Sequence, residues 1–66
     1  MVREDQRAVL AAIARRSRRQ REVLALRYYV GLSDAEIAEA LSITTGTVSS
    51  TVSHAMTALA RDLEEV

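Results

Sequence analysis

The 66-residue chain has no cysteine and no proline, only two glycines and a single histidine. Without cysteine it can form neither a disulfide nor a thiolate metal site, and one histidine does not build a zinc site. A chain this short buries only about 60% of the surface that its unfolded form exposes. The fold must therefore rest on packing around one small core, and we expect a single domain over residues 1–66 that holds no metal and no cofactor.

Long apolar runs are also missing. Charged side chains interrupt the N-terminus at Arg3, Glu4, Asp5 and Arg7, so it does not resemble a signal peptide. No stretch approaches the roughly 20 apolar residues that span a bilayer. We therefore expect a cytoplasmic protein without a membrane partner.

The formal net charge is zero, but the charges are unevenly distributed along the chain. Residues 1–29 hold eight arginines and three acidic residues, a net charge of +5. Residues 30–66 hold one arginine and six acidic residues, a net charge of −5. The zero sum therefore does not exclude a nucleic-acid partner, because a basic segment remains available to contact phosphates.

The absence of proline and of alternating β-branched residues predicts an all-α fold with four helices. The first helix is expected over residues 4–15. Its predicted inward stripe comprises Val2, Gln6, Val9, Leu10 and Ile13.

Capping signals predict where the next helices begin. Ser17 with Gln20, and Ser33 with Glu36, have the spacing of capping boxes, in which each side chain satisfies a backbone N–H of the other residue. The second helix should begin at Arg18 and end at a left-handed glycine, Gly31. Its predicted apolar stripe is Val23, Leu26 and Val30, flanked by Leu24 and Tyr28, with one of the two tyrosines in the core. Arg27 falls inside this stripe and is expected to snorkel or to pair with a carboxylate.

The last two helices are predicted to form a helix-turn-helix. The third helix should end near Ala40, and Thr44 is a suitable N-cap for the fourth. The connection between them is the four-residue segment 41–44, short enough for a second helix that lies in the major groove of DNA. An ordinary helical hairpin has the same spacing, so the length of the connection does not decide between the two arrangements. The predicted seam of the fourth helix comprises Val48, Val52, Ala55, Met56, Leu59 and Leu63.

A family resemblance favours the helix-turn-helix. The run RRQREVLALRYYVGLSDAEIAEALSITTGTVSSTVSHAMTALARDL, residues 18–63, resembles region 4 of bacterial sigma factors of the extracytoplasmic-function type. In that family QREVLALRYYxGLSxxEIAEALGIxxGTVKSxxSRAxxxL is close to the usual wording. The resemblance implies a promoter-recognition module that binds the −35 element through its helix-turn-helix and contacts the RNA polymerase β flap. It also implies an anti-sigma factor as a partner that covers these surfaces in some members.

Three departures from the family pattern affect function. Ser42 stands where the family usually has glycine in the turn, which implies a strained or re-formed turn. The segment Arg16-Ser17-Arg18 replaces Leu-Pro-Pro, and the capping box at Ser17 can substitute for the proline stop. Ser49 and His54 match the family's recognition-helix lysine and arginine, and Thr51 stands where many members have another basic residue. Losing those cations is expected to weaken DNA binding by orders of magnitude.

The candidate DNA-binding residues are accordingly uncharged apart from His54. They are Thr45, Gly46, Thr47, Ser49, Ser50, Thr51, Ser53 and His54. The free N–H groups at the start of this helix add an anion-binding element that needs no side-chain charge. Candidate phosphate contacts are Arg18, Arg19 and Arg21, part of an arginine cluster that could equally dock an acidic protein.

Two other functions stay open on the sequence. A protein-interaction domain that kept this fold but lost DNA reading would explain the uncharged helix and the acidic C-terminal half. The output domain of LuxR-type regulators shares the GLSxxEIAxxL wording, although Arg27-Tyr28-Tyr29 and Gly46-Thr47-Val48 favour the sigma version. We expect no enzyme, since Ser50 and His54 at i, i+4 share a helix face without a third residue to orient the imidazole. The sequence leaves the oligomeric state open.

Overall fold

The structure is a computed structural model that describes residues 3–64. It contains α1 (Glu4–Ala14), α2 (Arg18–Leu24), a π-helical segment that continues α2 (Ala25–Val30), α3 (Asp34–Leu41) and α4 (Thr45–Glu64). There is no strand in this range. The predicted all-α fold with four helices is therefore confirmed, with the second helix completed by the π-helical segment.

The core lies where α2, α3 and α4 meet. Val23, Ile37 and Val48 are fully buried there, together with Ala38. Partly buried apolar residues close the cluster from the sides: Leu26, Leu32, Leu41, Ile43 and Val52. Burying an aliphatic side chain of this size contributes about 1.5–3 kcal/mol, so these contacts fix α3 and α4 relative to each other.

The first helix packs against α4 through small residues. Ala12 of α1 and Ala55 of α4 are both fully buried, and short side chains let two helices approach closely. The predicted stripe of α1 was wrong at three positions. Val9 and Leu10 are 40% and 55% exposed, and Gln6 lies at the surface, where its Oε1 accepts the Arg3 N–H at 2.9 Å. Val2, also placed in that stripe, lies outside the described residues.

Helix ends follow the predicted capping residues. Ser17 Oγ accepts the Gln20 N–H at 3.2 Å, so α2 begins at Arg18 as expected, but the Gln20 side chain does not accept the Ser17 N–H, and the predicted capping box is only half formed. Ser33 Oγ accepts the Glu36 N–H at 3.1 Å, and Glu36 Oε1 accepts the Ser33 N–H at 2.9 Å, which completes a capping box. Gly31 adopts the left-handed conformation with φ of 89°.

The end of the second helix departs from the prediction. From Ala25 to Val30 the chain is π-helical, and the N–H groups of Gly31 and Leu32 both donate to the Leu26 carbonyl, at 3.0 and 2.9 Å. A π-helix has more residues per turn than an α-helix, so the 3.6-residue period that placed Val30 inward does not hold here. Val30 is 61% exposed, and both tyrosines are at the surface, which corrects the prediction of a tyrosine in the core.

Candidate nucleic-acid interface

A tight turn joins α3 to α4. It is one residue shorter than predicted, because α3 continues to Leu41 and only residues 42–44 lie between the helices. The Ile43 N–H donates to the Ala38 carbonyl at 2.9 Å, and the Ser42 N–H donates to the Glu39 carbonyl at 3.3 Å. These two bonds form a Schellman motif, with Ile43 and Ala38 also in contact in the core. The motif fixes the direction in which α4 leaves α3.

The turn requires a left-handed residue, and serine occupies that position. Ser42 has φ of 56° and ψ of 45°. For an L-amino acid this conformation costs roughly 1–2 kcal/mol, a cost that glycine avoids. The strain expected from the Ser42 departure is therefore present, and the Schellman bonds and the Ile43 contact hold the turn in place.

The N-terminus of α4 is capped as predicted. Thr44 Oγ1 accepts the Thr47 N–H at 3.1 Å, and the Thr44 carbonyl accepts the Val48 N–H at 3.1 Å. Val48 is fully buried and fixes the rotation of the helix about its axis. Thr45, Gly46 and Thr47 consequently lie at the surface.

Gly46 is not required by packing within the chain. A Cβ atom added there would meet only Thr44 Oγ1, at 3.8 Å, which is ordinary van der Waals contact. Glycine in a helix interior lowers stability by about 1 kcal/mol relative to alanine. Because glycine has no side chain, the backbone of the first turn is open at this position to close approach by another molecule.

The outward side of α4 forms an uncharged surface that we call the hydroxyl face. It comprises Thr45, Gly46, Thr47, Ser49, Ser50, Thr51, Ser53 and His54, all exposed except Thr51, which is half-buried. Between Thr45 and Ala60 the helix carries no arginine, lysine or carboxylate. The predicted DNA-binding residues thus occupy the part of the helix that the inward residues Val48, Val52 and Ala55 leave open, with Thr51 at its half-buried edge.

Some hydroxyl protons of this helix are already engaged. Ser50 Oγ donates to the Thr47 carbonyl at 3.3 Å, and Thr57 Oγ1 donates to the Ser53 carbonyl at 3.0 Å. The oxygen lone pairs of these residues stay available as acceptors. The hydroxyl face can therefore accept hydrogen bonds from base amino groups and place threonine methyl groups against thymine, but it has no arginine or lysine to neutralise phosphate.

The arginines at the connection between α1 and α2 and in the first turns of α2 form a second surface, the arginine junction, defined by Arg15, Arg16, Arg18, Arg19 and Arg21. Arg16 Nη2 lies 3.1 Å and Arg15 Nε 3.4 Å from Asp62 Oδ2, near the C-terminal end of α4. The Arg16 and Asp62 side chains are only 18% and 20% exposed. This pair ties the start of α2 to the last turns of α4.

The three predicted phosphate contacts also have partners within the chain. Arg18 Nε and Arg19 Nη1 lie 3.2 and 3.7 Å from the carboxylate of Glu22. Arg21 Nη1 donates to the carbonyls of Ala14 at 3.1 Å and Arg16 at 2.8 Å, and so caps the end of α1. The sequence signals the Arg18–Glu22 pair through its i, i+4 spacing. Nothing in the sequence signalled the cap made by Arg21.

Arg27 pairs with a carboxylate, one of the two arrangements expected for it. Its Nη1 donates to Asp34 Oδ1 at the start of α3, and its guanidinium lies 5.9 Å from the ring centroid of Tyr28. The pair joins the π-helical segment to α3 beside the turn that Gly31 makes.

An apolar groove of about 510 Å³ lies between α1, the π-helical segment and α4. Its lining residues are Leu10, Ile13, Arg21, Leu24, Ala25, Tyr28, Tyr29, Met56 and Leu59. Tyr29 is 86% and Met56 46% exposed, although Met56 belongs to the predicted inward seam of α4. Sequence reasoning missed the groove, because it assigned Leu10, Ile13, Met56 and Leu59 to the inward stripes of α1 and α4.

Sequence comparison identifies the family. Residues 4–59 match the family described as sigma-70, region 4. The chain belongs to this family. The region 4 assignment covers α1, the helix-turn-helix and most of α4, and it confirms the resemblance read from residues 18–63. No curated protein matches this region 4 chain.

Membership in the family makes this a region 4 domain of a sigma factor, a DNA-binding module of transcription. Sigma region 4 domains act with DNA and RNA polymerase rather than as enzymes. Within residues 3–64 no helix has both the length and the apolar character needed to cross a membrane. The same residues contain no cluster of metal-ligating side chains.

Proposed function

We propose that this region 4 domain recognises the −35 promoter element through the hydroxyl face and binds the β flap of RNA polymerase through the apolar groove. This function places the protein in the cytoplasm, with promoter DNA and polymerase as partners. The observation that carries the DNA half is the Schellman turn, which presents the first turns of α4 outward with Gly46 at the surface.

The mode of DNA binding follows from where the charges lie. Side-chain hydroxyls and backbone N–H groups of α4 meet base edges and the adjacent phosphate, whereas cations come only from the arginine junction. Because those arginines are paired within the chain, few of them release counterions on binding. Each phosphate contacted contributes about −0.9 to the slope of log K against log salt concentration. Since few phosphates are neutralised, the total slope should be shallow.

Titration of the domain with −35 promoter duplex and random duplex at low and moderate salt tests this proposal. We expect weak but sequence-dependent binding with a shallow salt slope. Replacing Arg18 and Arg19 by alanine should reduce the slope by about one for each arginine that contacts phosphate. Equal affinity for both duplexes at low salt would rule out base reading by α4.

Gly46→Ala separates DNA approach from folding. The added methyl group fits within the chain and improves helix propensity, so stability should be unchanged or higher. DNA affinity should fall, because the methyl group holds the duplex away from the N–H groups of the first turn. Unchanged affinity would show that DNA does not contact this turn closely.

The polymerase half depends on the apolar groove. A contiguous exposed apolar surface with a polar rim is typical of a protein-binding site, and a groove between helices accepts an amphipathic segment. Tyr29→Ala and Met56→Ala should each weaken binding to the isolated β flap, since both side chains line the groove and are exposed. Val9→Ala, which removes an exposed apolar side chain outside the groove, is the matched control. Equal effects of all three would argue against this docking site.

The second candidate is a protein-interaction domain that binds polymerase or an anti-sigma factor and reads DNA poorly. The paired state of all five arginines in the junction and the absence of cations along the hydroxyl face favour it. Capture of the β flap or of an anti-sigma protein, with no promoter binding at low salt, would favour this candidate over the first.

A further inference from the structure

Ser17 differs from every other hydroxyl residue in its surroundings. The chain has eleven serines and threonines, and Ser17 alone has arginine within three positions, in the run Arg15-Arg16-Ser17-Arg18-Arg19. It is exposed and lies between α1 and α2 with φ of −59° and ψ of 160°, outside the helical region. Its side chain is therefore accessible to a protein kinase at the connection between the two helices.

The charges around Ser17 are incompletely balanced. Five arginines of the junction face two carboxylates, Asp62 and Glu22, which leaves an excess of three positive charges. A phosphorylated serine carries about −1.5 to −2 charges at neutral pH and three strong acceptor oxygens. Arginine binds phosphate at least as readily as carboxylate, because its planar fork matches both groups. The junction thus has positive charge that its own carboxylates do not balance and that can bind a phosphate.

We propose that Ser17 is a phosphorylation site for a serine/threonine kinase that selects arginine-flanked substrates. In the reaction Ser17 Oγ forms a bond to the γ-phosphorus of ATP, the bond from that phosphorus to the β–γ bridging oxygen breaks, and ADP leaves. The hydroxyl proton passes to the catalytic base of the kinase. Kinases use such charge patterns to choose among substrates.

The phosphate changes the ion pairs of the junction. Its oxygens compete with Asp62 for Arg15 and Arg16, whose contacts with Asp62 Oδ2 are now 3.4 and 3.1 Å. When these arginines turn to the phosphate, Asp62 no longer ties α4 to the start of α2. Modification therefore removes positive charge from the surface and releases the end of α4 that borders the apolar groove. The exchange of ion pairs does not depend on the proposed function. Only the expectation that this exchange alters binding of DNA and polymerase rests on it.

Phosphorylation is tested with the full chain, ATP and a purified kinase that prefers arginine-flanked serine, followed by mass mapping. We expect one phosphoryl group, on Ser17. The matched control is Ser33, a second exposed N-cap serine with a hydrogen bond of the same kind but no arginine within three positions in the sequence. Ser17→Asn retains the capping group and should abolish labelling, while Ser33→Asn should not. Labelling of Ser33 or of α4 at a rate equal to that of Ser17 would overturn the proposal.

Competition for the arginines is tested without DNA or polymerase, so its failure is distinct from a failure of the proposed function. The chain is short enough for chemical synthesis with phosphoserine at position 17. Asp62→Asn should raise the unfolding equilibrium constant about tenfold in the unmodified chain and less than about threefold in the phosphorylated chain, because contacting charges couple in this range. An equal effect of Asp62→Asn in both chains would show that the phosphate leaves the Asp62 pairs intact.

Discussion

The arginine junction and the hydroxyl face divide the properties that DNA binding usually combines. The junction has five cations, but each is held by a carboxylate or a carbonyl of the same chain. The hydroxyl face is open to a ligand, yet it carries no cation between Thr45 and Ala60. A count of arginines is therefore a poor guide to phosphate binding, because partners within the fold decide which charges are free.

Adding cations to the hydroxyl face should produce the largest change. The double variant Ser49→Lys, His54→Arg restores the residue types usual in the family at two exposed positions. We expect DNA affinity to rise about tenfold to a hundredfold, since one well-placed contact contributes roughly 1–3 kcal/mol. The slope of log K against log salt concentration should steepen by about 0.9 for each new phosphate contact, with up to two such contacts expected. A gain confined to low salt and shared by random duplex would indicate phosphate contact without base reading.

Removing the carboxylates that pair with the arginine junction should have the next largest effect, and this effect is on stability. Asp62→Ala leaves the half-buried guanidinium of Arg16 without its partner and should lower the free energy of unfolding by about 2 kcal/mol. Glu22→Ala breaks more exposed pairs and should cost less than about 0.5 kcal/mol. Urea unfolding of both variants measures the difference. Similar losses would show that burial does not distinguish the two pairs.

The turn that aims the hydroxyl face should respond to a smaller degree. Ser42→Gly relieves the left-handed strain but adds freedom to the unfolded chain, so a net gain of about 0.5–1 kcal/mol is expected. Gly31→Ala is the matched control, and its effect on stability should have the opposite sign. A methyl group there meets nothing within 4 Å, yet φ of 89° is strained for alanine, and about 1 kcal/mol should be lost. Thermal unfolding of both variants tests the pair.

The smallest effect is expected at the capping box of α3, which lies in neither surface. Hydrogen bonds from the Ser33 N–H and hydroxyl lower the pKa of Glu36 from its ordinary value of 4.5. Because the folded-state pKa lies below the unfolded one, the stabilisation is present above pH 4.5 and is lost as pH falls through the lowered value. Glu36→Gln keeps an acceptor that does not titrate.

Unfolding of wild type and Glu36→Gln, compared from neutral to acidic pH, measures this contribution. The advantage of wild type should shrink in acid. A constant difference at all pH values would mean that the charge of Glu36 contributes nothing to the cap.

Local signals were predictable because they involve residues close in sequence. The serines that start α2 and α3, the glycine that ends the second helix and the threonine that caps α4 each act within one helical turn. The inward position of Val48 followed from helical periodicity. These local features predicted where the helices begin and end and which residues of α4 face inward, whereas the family resemblance was needed to favour a helix-turn-helix over an ordinary helical hairpin.

Predictions failed where the period or the packing partner changed. The π-helical segment altered the spacing after Ala25, so Val30 and Tyr28 lie at the surface instead of inside. In α1, close packing against α4 uses Ala12, and the larger apolar residues Val9 and Leu10 stay exposed. Hydrophobicity alone favours the larger side chains, whereas the distance between helices decides which ones fit.

The residue types alone were enough to predict the four helices, the residues that cap them, the family and the lack of arginine and lysine on the outward side of α4. These properties depend on residue type and on neighbours within a few positions. Tertiary structure decided which arginines are paired, because Asp62 lies 46 positions from Arg16 and meets it only when α1 and α2 pack against α4. It also decided that Leu10, Tyr29 and Met56 line a groove, since burial is set by the atoms that surround a side chain in space.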